Sequence, residues 1–200
     1  AVNTTPVGMY PDTGVSPVQL SQLPALEAAL DVVYNPARTD FLLQAESRGL
    51  KRENGLQMLV AQAKKSCEDF TGSALPDSVI PTITAALARG MQNIVLIGMP
   101  GCGKTSVGRA LAETLHRPFL DADEILVQQA GMSIPDIFRL EGEDGFRRRE
   151  TAVLAGLGKR SGCILATGGG CVTRTENYPL LRQNGTIFCL TRALDLLPSA

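Results

Sequence analysis

Gly98-Met99-Pro100-Gly101-Cys102-Gly103-Lys104-Thr105 fits the pattern G-x-x-x-x-G-K-[ST], and its reading decides the fold. Asn93-Ile94-Val95-Leu96-Ile97 leads into it as a short, apolar, β-rich run, and residues 106–115 leave it with helical spacing. Strand, glycine loop and helix are the surroundings this pattern needs to cradle phosphate. Its glycines let backbone N–H groups turn inward around phosphate oxygens, close to the positive end of the following helix. Lys104 can reach terminal phosphates, and the Thr105 hydroxyl suits a Mg²⁺ ion. The bland alternative is a glycine-rich turn without a ligand, and eight matched positions with both flanks weigh against it.

Downstream, the same strand–loop–helix rhythm continues. Residues 117–121 read as a second strand and 124–130 as a short helix stopped by Gly131. Ser133-Ile134-Pro135-Asp136 has the form of a capping box opening a longer helix, which Gly142 and Gly145 are expected to interrupt. Residues 163–167 form a buried-type strand broken by Gly168-Gly169-Gly170, and residues 186–190 supply one more. Alternating β and α elements imply a parallel sheet with helices on both faces. In such sheets ligands sit beyond the carboxyl ends of the strands. The phosphate loop, Asp121, Asp123 and the triple glycine all fall at such ends. Asp121 and Asp123 admit two readings, as partners of a metal or substrate hydroxyl or as caps of the helix that follows. Arg147-Arg148-Arg149 is ordinarily a solvated helix face, yet one guanidinium beside the site could clamp a carboxylate.

Upstream, residues 1–17 are rich in Thr, Pro and Gly and read as loop. Residues 30–34 read as a short strand, residues 39–48 as a helix stopped at Gly49, and residues 56–70 as another closed by Thr71-Gly72. A third helix is expected within residues 76–89, ending at Gly90. Residues 73–92 are thus a joint, more helical than linker-like.

Two hundred residues allow one large domain or two small ones, and 44% hydrophobic content fits a globular chain. No apolar run approaches the roughly 18–20 residues that span a bilayer. A formal charge of −1 points to neither nucleic-acid nor membrane partners. Five scattered cysteines without a C-x-x-C pair favour free thiols and a cytoplasmic setting. His116 is the single histidine, which excludes a multi-histidine metal site; near a helix end it reads as a C-terminal cap.

The ordered set of the phosphate loop, Asp121-Ala122-Asp123, Gly142-Glu143-Asp144-Gly145-Phe146-Arg147 and Gly168-Gly169-Gly170 resembles the shikimate kinase family. The likeness runs over residues 93–197, the first two-thirds of the family's P-loop kinase-like α/β domain. It implies transfer of the γ-phosphoryl group of ATP to the 3-hydroxyl of shikimate, with Mg²⁺. By that resemblance Gly101, Cys102, Gly103, Lys104, Thr105 and Ser106 bind ATP, and Thr105 and Asp121 serve the metal. Lys104 and Asp123 are the catalytic pair, while Asp123, Arg147 and Gly169 hold the substrate. The family's lid, its later carboxylate-binding arginine and its adenine-contacting segment are expected beyond Ala200, which falls in or near a helix after residue 190.

Residues 1–72 carry a separate resemblance, to the C-terminal part of shikimate dehydrogenase, a Rossmann-type domain. It rests on Asn3-Thr4-Thr5-Pro6-Val7-Gly8-Met9, Asp31-Val32-Val33-Tyr34-Asn35-Pro36 and the run Gly55-Leu56-Gln57-Met58-Leu59-Val60-Ala61-Gln62. It implies that Tyr34 and Gln62 touch shikimate and that Val32 and Gly55 lie near the nicotinamide of NADP. That family's catalytic domain and glycine-rich dinucleotide loop belong upstream. The expectation is therefore a window from a larger dehydrogenase–kinase polypeptide, with NADP relevant only to a complete dehydrogenase half. Alternatives are a polypeptide whose defining activity is the dehydrogenase, or a nucleotide-binding module without turnover.

Overall fold

A computed structural model describes residues 1–193 of the chain. Residues 194–200, where the kinase-like segment ends and a further helix is expected, lie outside the described residues. The chain divides into two compact units, Ala1–Met91 and Gln92–Ala200.

The first unit holds a three-stranded parallel sheet in the order β1 (Val2–Asn3), β2 (Ala28–Asp31) and β3 (Lys51–Glu53). Helix α1 (Asp40–Ser47) lies between β2 and β3 in sequence. Its first turn is capped by the Thr39 hydroxyl, which accepts from Leu42 N at 3.4 Å. Leu20, Ala29, Phe41, Leu42 and Ala45 bury themselves together as the core of this unit. Helix α2 (Leu56–Thr71) ends at Gly72 in the left-handed conformation, and α3 (Val79–Met91) packs on it.

Three expectations are corrected here. The strand read at residues 30–34 covers 28–31, because the buried Asp31 carboxylate draws the chain out of the ladder. Asp31 accepts from Asn3 Nδ2 at 3.0 Å, Val33 N at 3.0 Å and Thr39 Oγ1 at 2.5 Å. Those donors fold residues 32–34 around the side chain instead of extending β2. Residues 1–17 are not all loop, since β1 pairs with β2. Helix α3 also runs through Gly90 rather than stopping there.

The second unit is built on four parallel strands in the order β5-β6-β4-β7. These are β4 (Asn93–Gly98), β5 (Phe119–Asp121), β6 (Ile164–Ala166) and β7 (Gly185–Leu190). Strand alternation sorts their apolar residues between two faces. Val95, Ile97 and Leu165 pack with residues of α5 (Ala122–Ala130), α6 (Ile134–Gly158) and α7 (Asn177–Arg182), among them Leu126, Ile137, Phe146, Leu154 and Leu181. Leu96 and Ile164 point to the other face, which α4 (Lys104–Leu115) covers. The expected α/β architecture, a P-loop kinase-like parallel sheet with helices on both faces, is the one observed.

His116 forms the C-cap of α4 with φ 52°, as its position suggested. Ser133 caps α6, its hydroxyl accepting from Asp136 N at 3.3 Å. The break in α6 is single. Gly142 leaves helical geometry at φ 69° and ψ −175°, a conformation that strains any residue with a Cβ. Gly145, expected to be a second interruption, stays helical, because its lack of a side chain lets the Glu141 side chain lie against it. A doubly bonded ion pair from Arg149 to Glu141, at 2.6 and 2.9 Å, spans the kink.

Candidate functional site

Strand β4 sits inside the sheet, with β6 on one side and β7 on the other. The loop after it therefore opens where three strand ends converge. Gly101 and Gly103 take φ 76° and 98°, which turns the loop's amides toward the start of α4. Lys104 is 9% exposed, and its Nζ donates to Gly98 O at 2.9 Å and Met99 O at 3.0 Å. The loop, the β5 end and the β6 end enclose a cavity of about 470 Å³. Its lining includes Pro100, Gly101, Gly103, Lys104, Thr105, Ser106, Asp121, Asp123, Thr167, Gly169 and Arg192.

The capping reading of Asp121 holds, and its second oxygen is joined to Thr105. Its Oδ1 accepts from Asp123 N at 3.0 Å, capping α5, while its Oδ2 accepts from Thr105 Oγ1 at 2.9 Å. The hydroxyl and carboxylate so joined are hard oxygen donors of the kind Mg²⁺ takes, and the described residues hold no group of three or more acidic, histidine or cysteine side chains that could cage a metal. One or two protein oxygens completed by water and phosphate are how Mg²⁺ is commonly held beside a nucleotide, so the donor set fits that ion.

Asp123 faces the cavity from the first turn of α5. Burial raises its pKa above the usual aspartate range, and repulsion from Asp121 and Glu150 adds to the rise, against a partial offset from Lys104 and Arg147. Arg147 stands behind the triple glycine rather than in the lining. It pairs with Glu150 at 2.8 Å and more loosely with Glu143 at 3.6 Å. Arg148 is exposed and Arg149 braces the kink, so the arginine run has three different fates.

A Cβ on each glycine of the triple would meet a different neighbour. A Cβ on Gly168 would meet Glu150 Oε1 at 2.6 Å and Asp123 Oδ1 at 2.8 Å. One on Gly169 would meet Pro100 Cδ at 2.6 Å, and one on Gly170 would overlap the Arg147 guanidinium. The segment is thus a packing surface shared by the phosphate loop, the acidic pair and Arg147.

Of the loop residues expected to touch phosphate, Cys102 alone stands outside the lining. Its Sγ turns back to Gly98, and its N–H donates to Met99 O at 3.3 Å. Glu150, Thr167 and Arg192 were not anticipated. Glu150 had a signal: it falls on the stripe Phe146, Val153, Leu154 and Leu157, the buried face of α6. A carboxylate there is 2% exposed and needs a cation, which Arg147 supplies three residues away.

In the first unit, Val32 and Tyr34 line a cavity of about 420 Å³ together with Thr4, Thr5, Pro6, Met9, Tyr10, Val33 and Asn35. Gly55 backs directly onto Val32, where a Cβ would overlap the Val32 carbonyl. Gln62 is exposed on α2, outside that lining.

A glycine loop after an inner parallel strand, a lysine and a threonine at the following helix start, and two carboxylates across the cavity define a P-loop α/β unit of the phosphate-handling class. Residues 100–199 match the family model for shikimate kinase, and the chain belongs to that family. A shikimate kinase of Symbiobacterium thermophilum is 52% identical over 99 residues, 50% of this chain and 57% of that protein. The chain thus spans little more than half the length of such relatives. The structure of an Acinetobacter baumannii shikimate kinase in complex with shikimate is 46% identical, covering 56% of this chain and 63% of that one with a TM-score of 0.53. A shikimate dehydrogenase structure from Peptoclostridium difficile is 42% identical over 43% of this chain and 32% of its own, with a TM-score of 0.41. No helix among the described residues is long and apolar enough to cross a membrane.

Proposed function

We propose that the second unit transfers the γ-phosphoryl group of ATP to the 3-hydroxyl of shikimate. One observation carries this reading: Lys104 and Thr105 of the phosphate loop share a single cavity with Asp121, Asp123 and Gly169. The relative whose structure was solved with shikimate supports the choice of acceptor. Backbone amides of residues 101–106 and the Lys104 ammonium hold the terminal phosphates and offset charge as it develops on them. Thr105 and Asp121 would hold Mg²⁺, which neutralises phosphate charge. Asp123 orients the attacking hydroxyl and accepts its proton, and its raised pKa suits it to that exchange. Arg147, fixed by Glu150, holds the shikimate carboxylate, and the Gly169 backbone contacts the ring. Little covalent help is required, because positioning supplies most of the acceleration.

The test is release of ADP measured in parallel with shikimate, gluconate and AMP as acceptors. Release stimulated by shikimate alone supports the reading. Stimulation by another acceptor, or equal release without any, contradicts it.

A second reading concerns the first unit: residues 1–72 are the C-terminal part of a shikimate dehydrogenase in a bifunctional polypeptide. It is favoured by the cavity that brings Val32 and Tyr34 together with Gly55 behind them. Shikimate-dependent reduction of NADP by the natural polypeptide that contains these residues tests it, and absence of reduction leaves the kinase alone.

A further inference from the structure

We propose that Arg192 is a nucleotide-binding cation, gripping the polyphosphate from the flank of the phosphate loop opposite Asp121 and Asp123. The inference rests on the kinase reading above and adds a residue to it. Strands β5 and β7 are the two edges of the sheet. Asp121 closes β5, whereas Arg192 follows two residues after β7, which pairs with β4 as far as Gly98 opposite Leu190. That register brings Arg192 beside the loop that β4 feeds. The acidic pair and Arg192 therefore line one cavity from its opposite sides.

Among the described residues the one direct polar contact of Arg192 runs from Nη1 to Gly101 O at 3.5 Å, longer than a well-formed hydrogen bond. Arg109, Arg139, Arg147, Arg149 and Arg174 of the same unit each pair with a carboxylate within 4.0 Å. Arg192 has none within that reach among the described residues. It also lines a neighbouring, mostly apolar cavity of about 270 Å³ with Val172 and Leu190. An aliphatic stem seated on apolar surface leaves a guanidinium head aimed at polar surroundings.

Electrostatics names the ligand. The main cavity already holds two carboxylates, and the Lys104 ammonium is shared with two loop carbonyls. A polyphosphate entering there meets like charge on one flank and needs cationic compensation on the other. A planar guanidinium matches phosphoryl oxygens in bidentate fashion.

Equilibrium titration of the natural polypeptide that contains these residues with MgATP and with AMP, for the parent, Arg192→Ala, Arg192→Lys and Arg192→Gln, tests the assignment. Arg192→Ala is expected to weaken MgATP about tenfold while changing AMP, which lacks the outer phosphates, by less than about twofold. Arg192→Lys recovers most of the loss and Arg192→Gln recovers little, since charge is the active property. Unchanged MgATP affinity in Arg192→Ala overturns the proposal while leaving the kinase reading intact. Recovery by Gln but not by Lys overturns it in favour of a brace on the Gly101 carbonyl. A parent chain that binds no MgATP overturns the kinase reading and this proposal with it.

Discussion

The two ends of the main cavity are built in opposite ways. The phosphate end comes from eight consecutive residues, and its chemistry lies mostly in backbone amides oriented by glycines. The end proposed to take the acceptor is assembled from segments spread between residues 121 and 170, and its chemistry lies in side chains held by other side chains. Asp121 is tied to Thr105, Arg147 to Glu150, and the triple glycine makes room for both neighbours. A continuous backbone site tolerates change at positions whose side chains point away. A discontinuous side-chain site is exposed to the loss of any one support.

Substitutions should separate the two ends by both size and kind of effect. The largest is expected for Lys104→Ala, the one indispensable side chain of the phosphate end. Turnover falls about a thousandfold or more with circular dichroism and melting temperature retained, because the group acts on developing charge. Parent-like turnover would break the assignment of that end.

Asp123→Asn should lower turnover about a hundredfold by removing the proton acceptor. It should also stabilise the protein at neutral pH. The folded state holds the Asp123 proton more tightly than the unfolded chain does, so its ionisation weakens folding as pH rises through the folded-state pKa. Removing the carboxylate therefore raises the melting temperature at pH 7, and the gain fades as pH falls through the raised folded-state pKa toward about 4, the unfolded aspartate value. A lowered melting temperature at pH 7 would show that the Asp123 carboxylate instead stabilises the first turn of α5.

Glu150→Gln should raise the KM for shikimate about tenfold with a smaller change in kcat, since it loosens Arg147 without touching the phosphates. A matching rise in the KM for ATP would erase the division between the ends. The smallest effect is expected for Cys102→Ser, with turnover and ATP affinity within about twofold of the parent, as its side chain turns away from the cavity.

The same division explains what was legible in the sequence. The phosphate loop and its flanks could be read directly, because a local pattern specifies a local structure. Strand β4, helix α4 and the caps at Ser133 and His116 follow from that kind of signal. Strand β3 was missed because its three residues, Lys51, Arg52 and Glu53, are charged and exposed and show no apolar alternation. Helix α7 was missed because six residues containing Pro179 carry too little periodicity. Asp31 shifted β2 through side-chain hydrogen bonds, from Asn3 across 28 residues and from Thr39, that no apolar pattern announces. Within the site, Glu150 was recoverable from its place on an apolar stripe. Arg192 was not, because its position depends on β7 lying beside β4, a pairing between residues about ninety apart in sequence.

The most direct test of a donor end facing an acceptor end is ³¹P NMR of the natural polypeptide that contains these residues, incubated with MgATP and shikimate. The account predicts a phosphate-monoester resonance coupled to the proton on C3 of shikimate, growing in step with ADP. ADP that accumulates with inorganic phosphate and no ester, or no consumption of ATP at all, would contradict it.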